Sequence, residues 1–138
     1  LLGSGGLGVG AGNAEWYMEN RGIFDTAGVT NVHNWWVELL VNYGLLVTTL
    51  YFMLYFYVVW NSWGILRSKV ETQWKSIFFQ TIYLGSIGFF LASISSSSIM
   101  AFAPIWFFWG MALSFLALDR KKDRRRQRKT MIDAKFII

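Results

Sequence analysis

The stretch YGLLVTTLYFMLYFYVVW, residues 43–60, decides the class of this protein because it is apolar, aromatic and uncharged throughout. The uncharged run around it covers residues 39–66, and a second one covers residues 76–118. A bilayer core about 30 Å thick is crossed by about 20 apolar helical residues. Of the 138 residues, 54% are apolar and 19% aromatic, which excludes an ordinary soluble domain. The lack of cysteine also excludes a disulfide-stapled secreted domain.

The predicted fold class is all-α: an integral membrane protein with three C-terminal transmembrane helices after an extracytoplasmic loop, within a larger multi-span bundle. The predicted segments, in chain order, are a glycine-rich extracytoplasmic loop with the start of an amphipathic helix (1–38), a transmembrane helix (39–62), a cytoplasmic loop (63–76), a transmembrane helix (77–94), an external turn (95–98), a transmembrane helix (99–118) and a basic cytoplasmic tail (119–138). The chain begins with Leu rather than Met, so we expect it to be the C-terminal piece of a longer protein.

Aromatic and small residues refine these spans. Trp35 and Trp36 precede the first span, and aromatic residues at span ends are typical of membrane interfaces. In the second span, Gly85 and Gly88 are expected to let another helix approach closely. In the third span, Pro104 predicts either a kink or a helix start.

The distribution of charge orients the spans. Residues 1–38 carry a net charge of −3 and residues 119–138 a net charge of +6, while residues 95–98 carry none. Loops rich in Lys and Arg stay cytoplasmic, so the tail is predicted inside and residues 1–38 outside. The basic run within 119–129 is interpreted as a topology determinant that touches anionic headgroups. A lipid clamp or a nucleic-acid site are the alternatives, but no aromatic residue interleaves the run.

The first twelve residues contain six glycines, and Gly3, Gly5 and Gly8 satisfy GxGxxG. The dinucleotide fingerprint needs a preceding strand and a βαβ unit, so that interpretation is rejected. A tightly turning segment remains, and so does a loop whose backbone N–H groups converge on a phosphate.

A polar stripe follows at four-residue spacing, formed by Asn34, Glu38 and Asn42. Asn34 is the predicted helix N-cap, and Glu38 lies where the helix dipole favours an acid. A polar stripe beside a membrane is expected to face the protein interior or a wet cavity. His33 is the single histidine, and it is either a general base or an interfacial side chain bonded to a loop carbonyl. One histidine without cysteine predicts no metal site.

Taken together, GVGAGN (residues 8–13), HN (His33 and Asn34) and NYG (residues 42–44) resemble the C-terminal portion of the O-antigen ligase and polymerase superfamily. That superfamily includes O-antigen ligases, polysaccharide polymerases and teichuronic acid biosynthesis membrane proteins. The resemblance extends over about residues 1–60. This chain departs from the pattern at Asn42, where the family often has an acid.

The resemblance implies a multi-pass glycosyltransferase of the bacterial inner membrane, with a cytoplasmic C-terminus and without a metal or cofactor. It would move glycan from an undecaprenyl-pyrophosphate carrier to a sugar hydroxyl outside the membrane, as a polymerase or a ligase. The expected partners are the carrier-linked donor, a glycan acceptor, the bilayer and N-terminal transmembrane helices of the same protein, but not nucleic acid. The implied site residues are His33 as catalytic base, Asn34, Glu38 and Asn42 for positioning or acceptor binding, and Gly8, Gly10 and Gly12 near the carrier's phosphates. The family's phosphate-binding arginines lie mostly upstream of this chain, so Arg21, the only basic residue of residues 1–38, is interpreted either as a pyrophosphate contact or as a surface side chain.

The main rival hypothesis is a non-enzymatic subunit of a polysaccharide exporter, flippase or envelope-assembly complex. Transporters place ionisable groups and broken helices near the bilayer midplane. The predicted spans contain no ionisable side chain except tyrosine, and the polar stripe lies at one end of them. The sequence therefore favours chemistry at the membrane boundary over transport through these spans.

Overall fold

The computed structural model describes residues 5–22, 28, 33–68, 72–96 and 102–135. Within these ranges all regular secondary structure is helical: α1 (Ala14–Arg21), α2 (Trp35–Arg67), α3 (Gln73–Ser93) and α4 (Ala103–Lys135). The all-α prediction is thus confirmed for the part of the chain that the structure describes. Helices α1 to α3 belong to one compact unit, and α4 belongs to a second unit.

Helix α2 is interrupted at Gly44, where φ is 77° and ψ is −179°. Only glycine adopts this backbone conformation at low cost because any Cβ would clash with the backbone. The interruption divides α2 into a short arm, residues 35–43, and a long arm, residues 45–67. This corrects the continuous helix predicted over residues 39–62, since its first five residues belong to the short arm.

The two arms of α2 fold back on each other. Trp36 in the short arm stacks on Phe52 in the long arm, with ring centroids 4.7 Å apart. In an uninterrupted helix these residues would lie about 24 Å apart at 1.5 Å per residue. Each stands eight positions from Gly44, so the arms run side by side in opposite directions.

The long arm packs antiparallel to α3. Trp63, near the end of the long arm, stacks on Tyr83 in the middle of α3, with ring centroids 5.2 Å apart. Farther along, the hydroxyl of Tyr55 donates a hydrogen bond of 3.0 Å to the carbonyl of Ser86. Trp36 also contacts two phenylalanines of α3, so the short arm, the long arm and α3 share one aromatic core.

The tryptophans before the first span lie in this core rather than in a lipid-facing belt. Trp35 is only 1% exposed, and its ring meets Tyr51 edge-on at 6.0 Å. The reversal at Gly44 turns both indoles towards the long arm, and their depth at a membrane interface stays a prediction.

A serine, not a glycine, lies at the contact between α3 and the long arm. Ser86 is fully buried, and its hydroxyl donates 2.7 Å to the carbonyl of Ile82 within α3. Gly85 and Gly88 are exposed, and a Cβ built on Gly88 would meet no atom of the described residues. The expectation that another helix approaches these glycines therefore stays a prediction.

Among the described helices, α2 and α3 are long and apolar enough to cross a membrane. The long arm of α2 alone measures about 34 Å and α3 about 31 Å, which matches a bilayer core of about 30 Å. The predicted loop over residues 63–76 is shorter in the structure, because α2 continues to Arg67 and α3 begins at Gln73.

Helix α4 begins at Ala103, so Pro104 stands in its first turn, where a missing N–H costs nothing. This resolves the two alternatives for Pro104 in favour of a helix start. The helix continues without interruption to Lys135, and it joins the apolar residues before 119 to the basic residues after it. Parts of the predicted turn (97–98), third span (99–101) and tail (136–138) lie outside the described residues, as do residues 69–71.

Candidate functional site

A glycine loop, defined here as residues 5–12, fills the interruption in α2. Three backbone hydrogen bonds join the loop to α2: Val9 N–H to the Val41 carbonyl (2.8 Å), Gly10 N–H to the Asn42 carbonyl (2.9 Å) and Leu45 N–H to the Gly6 carbonyl (2.8 Å). Helix ends leave carbonyl and N–H groups without partners, and buried ends must find them elsewhere. The loop thus donates to the last carbonyls of the short arm and accepts from the first N–H of the long arm.

Two glycines are required by this close approach. A Cβ on Gly8 would lie 2.6 Å from both the Asn42 carbonyl oxygen and the Gly44 nitrogen. A Cβ on Gly44 would overlap the backbone of Gly6 and Leu7. Since these neighbours are backbone atoms, they cannot give way as a flexible side chain would.

The other two predicted glycines are less constrained. A Cβ on Gly10 would meet the side-chain amide of Asn13 at 2.8 Å, and one on Gly12 would meet nothing among the described residues. Both have positive φ, 97° and 73°, so the turn itself favours glycine there. Of the three predicted loop glycines, Gly8 therefore has the strongest structural requirement.

Asn42 joins the short arm to α1. Its side chain is 4% exposed, and its Oδ1 accepts a hydrogen bond of 3.1 Å from the backbone N–H of Ala14, the first residue of α1. Asn13 precedes α1 but does not cap it with its side chain. Asn42 therefore supplies the cap from 28 positions along the chain. Its assignment to substrate binding stays a prediction, and the contact seen here is structural.

The predicted N-cap of α2 is confirmed. The Oδ1 of Asn34 accepts hydrogen bonds from the N–H groups of Trp36 (3.0 Å) and Val37 (3.2 Å), and Glu38 lies in the first turn. Asn34 and Glu38 are half-buried, whereas Asn42 is buried. The polar stripe thus turns from the surface into the protein along the short arm.

His33 is exposed and stands directly before the cap. Because the arms of α2 are antiparallel, the start of the short arm lies beside Phe52, about 12 Å along the long arm from Gly44. Between α1 and His33, residues 23–27 and 29–32 lie outside the described residues.

Arg21 lies at the end of α1. Its side chain is exposed, and its guanidinium lies 6.0 Å from the centre of the Tyr17 ring. A cation in the last turn interacts favourably with the helix dipole. Among the described residues no group of three His, Asp or Glu side chains is placed to hold a metal ion.

Sequence reasoning missed the role of Gly44. The signal was present, since an isolated glycine inside an apolar helical pattern lowers the expectation of a continuous helix. It also missed the two indole N–H groups of Trp35 and Trp36, which are buried without a hydrogen-bond partner among the described residues. These follow from the fold-back, which no periodicity in the sequence reveals.

The chain is similar to a curated protein, the Teichuronic acid biosynthesis protein TuaE of Bacillus subtilis (strain 168), with 36% identity over 131 residues. The similarity covers 95% of this chain and 26% of that protein, so the chain spans about a quarter of its relative's length. No family model matches the chain. No solved structure matches it. Its sequence relationship is therefore to a protein named for teichuronic acid biosynthesis, and the relationship extends over nearly the whole chain.

Proposed function

We propose that this chain is part of a bacterial membrane protein that synthesises a cell-envelope polysaccharide. The observation that carries the proposal is the 36% identity, over 95% of the chain, to a teichuronic acid biosynthesis protein. Two helices able to cross a membrane support a location in the bilayer. The finer proposal is an O-antigen ligase or polymerase type glycosyltransferase that uses an undecaprenyl-pyrophosphate carrier.

In the proposed reaction, the imidazole of His33 takes the proton from a sugar hydroxyl of the acceptor. The hydroxyl oxygen then bonds to the anomeric carbon of the donor, and the bond from that carbon to the carrier's phosphate oxygen breaks. Undecaprenyl pyrophosphate leaves with the electron pair, and the configuration at the sugar inverts. Pyrophosphate is a good leaving group, so positioning and one base can suffice without a metal.

The site geometry supports this assignment in two ways. His33 is exposed, so an acceptor can reach it, and it directly precedes Asn34, whose cap fixes the backbone at the start of α2. The half-buried Asn34 follows His33 directly in the chain, and the half-buried Glu38 lies in the first turn of the short arm. We assign them to acceptor binding or positioning, Gly8, Gly10 and Gly12 to the surroundings of the carrier's phosphates, and Arg21 to the pyrophosphate.

The second candidate is a non-enzymatic subunit of an exporter, flippase or assembly complex. One observation favours it: α2 is a broken helix, a feature of many transporters. Against it, the break lies at one end of the long arm, and residues 45–66 contain no charged side chain. We therefore rank it below the transferase.

The deciding experiment uses the full-length protein in a host that lacks its own copy. Surface polymer and carrier-linked repeat units are measured for wild type, His33→Gln and the control Glu19→Gln, which changes an exposed residue of α1. We expect His33→Gln to abolish polymer and to accumulate carrier-linked donor on the outer leaflet, at unchanged membrane levels of the protein. We expect Glu19→Gln to behave as wild type.

Two other results would count against the proposal. Normal polymer from His33→Gln would remove the histidine from the chemistry. Carrier-linked donor that accumulates on the inner leaflet would favour the exporter or flippase instead.

A further inference from the structure

We propose that Gly44 and Asn42 are positioning residues, which hold the short arm folded back along the long arm and so fix where His33, Asn34 and Glu38 stand. We call the assembly of glycine loop, Gly44 and Asn42 the clasp. The inference rests on the proposed function, because it assigns the clasp to the site that His33 would serve.

The first step of the argument is the backbone of Gly44. The fold-back depends on one residue with φ 77° and ψ −179°, which an L side chain does not tolerate. The contact of Trp36 with Phe52 exists only because the chain reverses at this residue. A substitution at Gly44 that restored helical dihedral angles would move His33 away from the long arm by tens of ångströms.

The second step is that the reversal is held from outside α2. The glycine loop makes hydrogen bonds to carbonyls on one side of Gly44 and to an N–H on the other, at 2.8 to 2.9 Å. Gly8 packs so closely on the Asn42 carbonyl that no other residue fits there without a shift of backbone. The loop therefore occupies the interruption and holds both helix ends.

The third step is the side chain of Asn42. Its Oδ1 is the acceptor for the first N–H of α1, and the group is buried, so a lost bond is not replaced by water. This one hydrogen bond ties α1, which carries Arg21, to the arm that carries Asn34 and Glu38. Asn42 thus connects the part of the proposed site on α1 to the part at the start of α2.

A geometric test comes first and does not depend on activity. The 138 residues contain no cysteine, so Trp36→Cys with Phe52→Cys introduces a unique pair into this part of the full-length protein, whose other cysteines are replaced. A short bifunctional maleimide should join the pair, because the two rings they replace are 4.7 Å apart. Adding Gly44→Ala should lower the cross-linking yield about 10-fold, because positions 36 and 52 would lie about 24 Å apart in a continuous helix.

Gly64→Ala is the matched control for Gly44→Ala. Gly64 also lies in α2, within the long arm, and a Cβ at this position meets open space among the described residues. We expect Gly64→Ala to leave the cross-linking yield unchanged. Wild-type yield in the Gly44→Ala background would overturn the proposal.

If the Gly44→Ala variant does not insert into the membrane, substitutions at Asn42 provide a less disruptive test. Asn42→Leu removes the acceptor, whereas Asn42→Asp keeps it at a helix N-terminus, where Asp and Asn cap equally well. We expect Asn42→Leu to lower kcat for glycan transfer about 10-fold or more, with a smaller change in KM for the carrier-linked donor, since a displaced base slows chemistry. Asn42→Asp should restore kcat to within about 3-fold of wild type.

The outcomes separate the clasp from the proposed function. Wild-type kcat in Asn42→Leu, or equal losses in both Asn42 variants, would overturn the positioning role. If His33→Gln keeps full activity while Gly44→Ala abolishes cross-linking, the fold-back stands and the assignment of His33 as the catalytic base fails.

Discussion

At the scale of single residues, the described contacts of Asn34 and Asn42 are both helix caps. Asn34 caps the helix that follows it, and Asn42 caps a helix that precedes it by 28 positions. Asparagine suits both tasks because its amide oxygen accepts from backbone N–H groups without adding a charge. A loss of function on mutating either residue therefore needs a stability measurement before it is attributed to substrate binding.

Two substitutions at Asn34 separate a role in capping the helix from a role in substrate binding. We expect Asn34→Ala to lower the free energy of unfolding by about 1 kcal/mol, because two N–H groups of the first turn lose their acceptor. Asn34→Ser should keep most of the stability. Thermal unfolding of the full-length protein in detergent measures the difference.

Activity of the same two variants then tests the binding role. If Asn34→Ser is as stable as wild type but inactive, the amide contributes to substrate binding as well as to the cap. If Asn34→Ser is active, the cap alone explains the residue.

At the scale of helices, two buried hydroxyl groups are satisfied by hydrogen bonds within their own helix. Thr48 and Ser86 are both buried, and each hydroxyl donates to the carbonyl four residues earlier, at 2.8 and 2.7 Å. Small residues with internally bonded hydroxyls allow close packing of helices in an apolar environment. The pairing of the long arm with α3 rests on this and on the aromatic contacts around Tyr55.

We expect Ser86→Leu to destabilise the protein by about 1 to 3 kcal/mol, because the larger side chain overfills the contact between the long arm and α3. Thr81→Leu is the matched control, since Thr81 is exposed on α3 and makes the same kind of hydrogen bond, 3.0 Å to the carbonyl of Ile77. The thermal midpoints of the two variants measure the contrast. Equal midpoints would contradict the packing described here.

At the scale of the whole molecule, charge and fold-back together define the expected orientation. Residues 1–38 are acidic and the segment after residue 119 is strongly basic, so the glycine loop and α1 are expected outside and the end of α4 inside. The long arm and α3 each have the length of one bilayer crossing. The fold-back then brings the start of the short arm alongside the long arm instead of extending it away from the membrane.

Cysteine labelling checks this orientation. Single cysteines at Glu15, Ser68 and Gln127 fall in α1, after α2 and in the basic part of α4, and each is exposed. A membrane-impermeant maleimide should label Glu15→Cys in intact cells, but Ser68→Cys and Gln127→Cys only after permeabilisation. Labelling of Gln127→Cys in intact cells would reverse the predicted orientation.

The amino-acid sequence by itself determined the features that depend on local composition. The charge-free runs predicted the apolar helices, Asn34 predicted the cap of α2, and Pro104 marked the start of α4 as one of two options. These predictions succeed because helix formation, helix capping and the free-energy cost of charge in an apolar phase depend on only a few neighbouring residues.

The tertiary structure alone decided the reversal at Gly44, the burial of Trp35 and the role of Asn42. Each depends on partners distant in the chain: the glycine loop for Gly44, the long arm for Trp35 and α1 for Asn42. A glycine in an apolar run is compatible with a straight helix or a sharp turn, and local propensity differs by only about 1 kcal/mol between them. The hydrogen bonds from the glycine loop select the turn, because they satisfy helix ends that would otherwise be buried without partners.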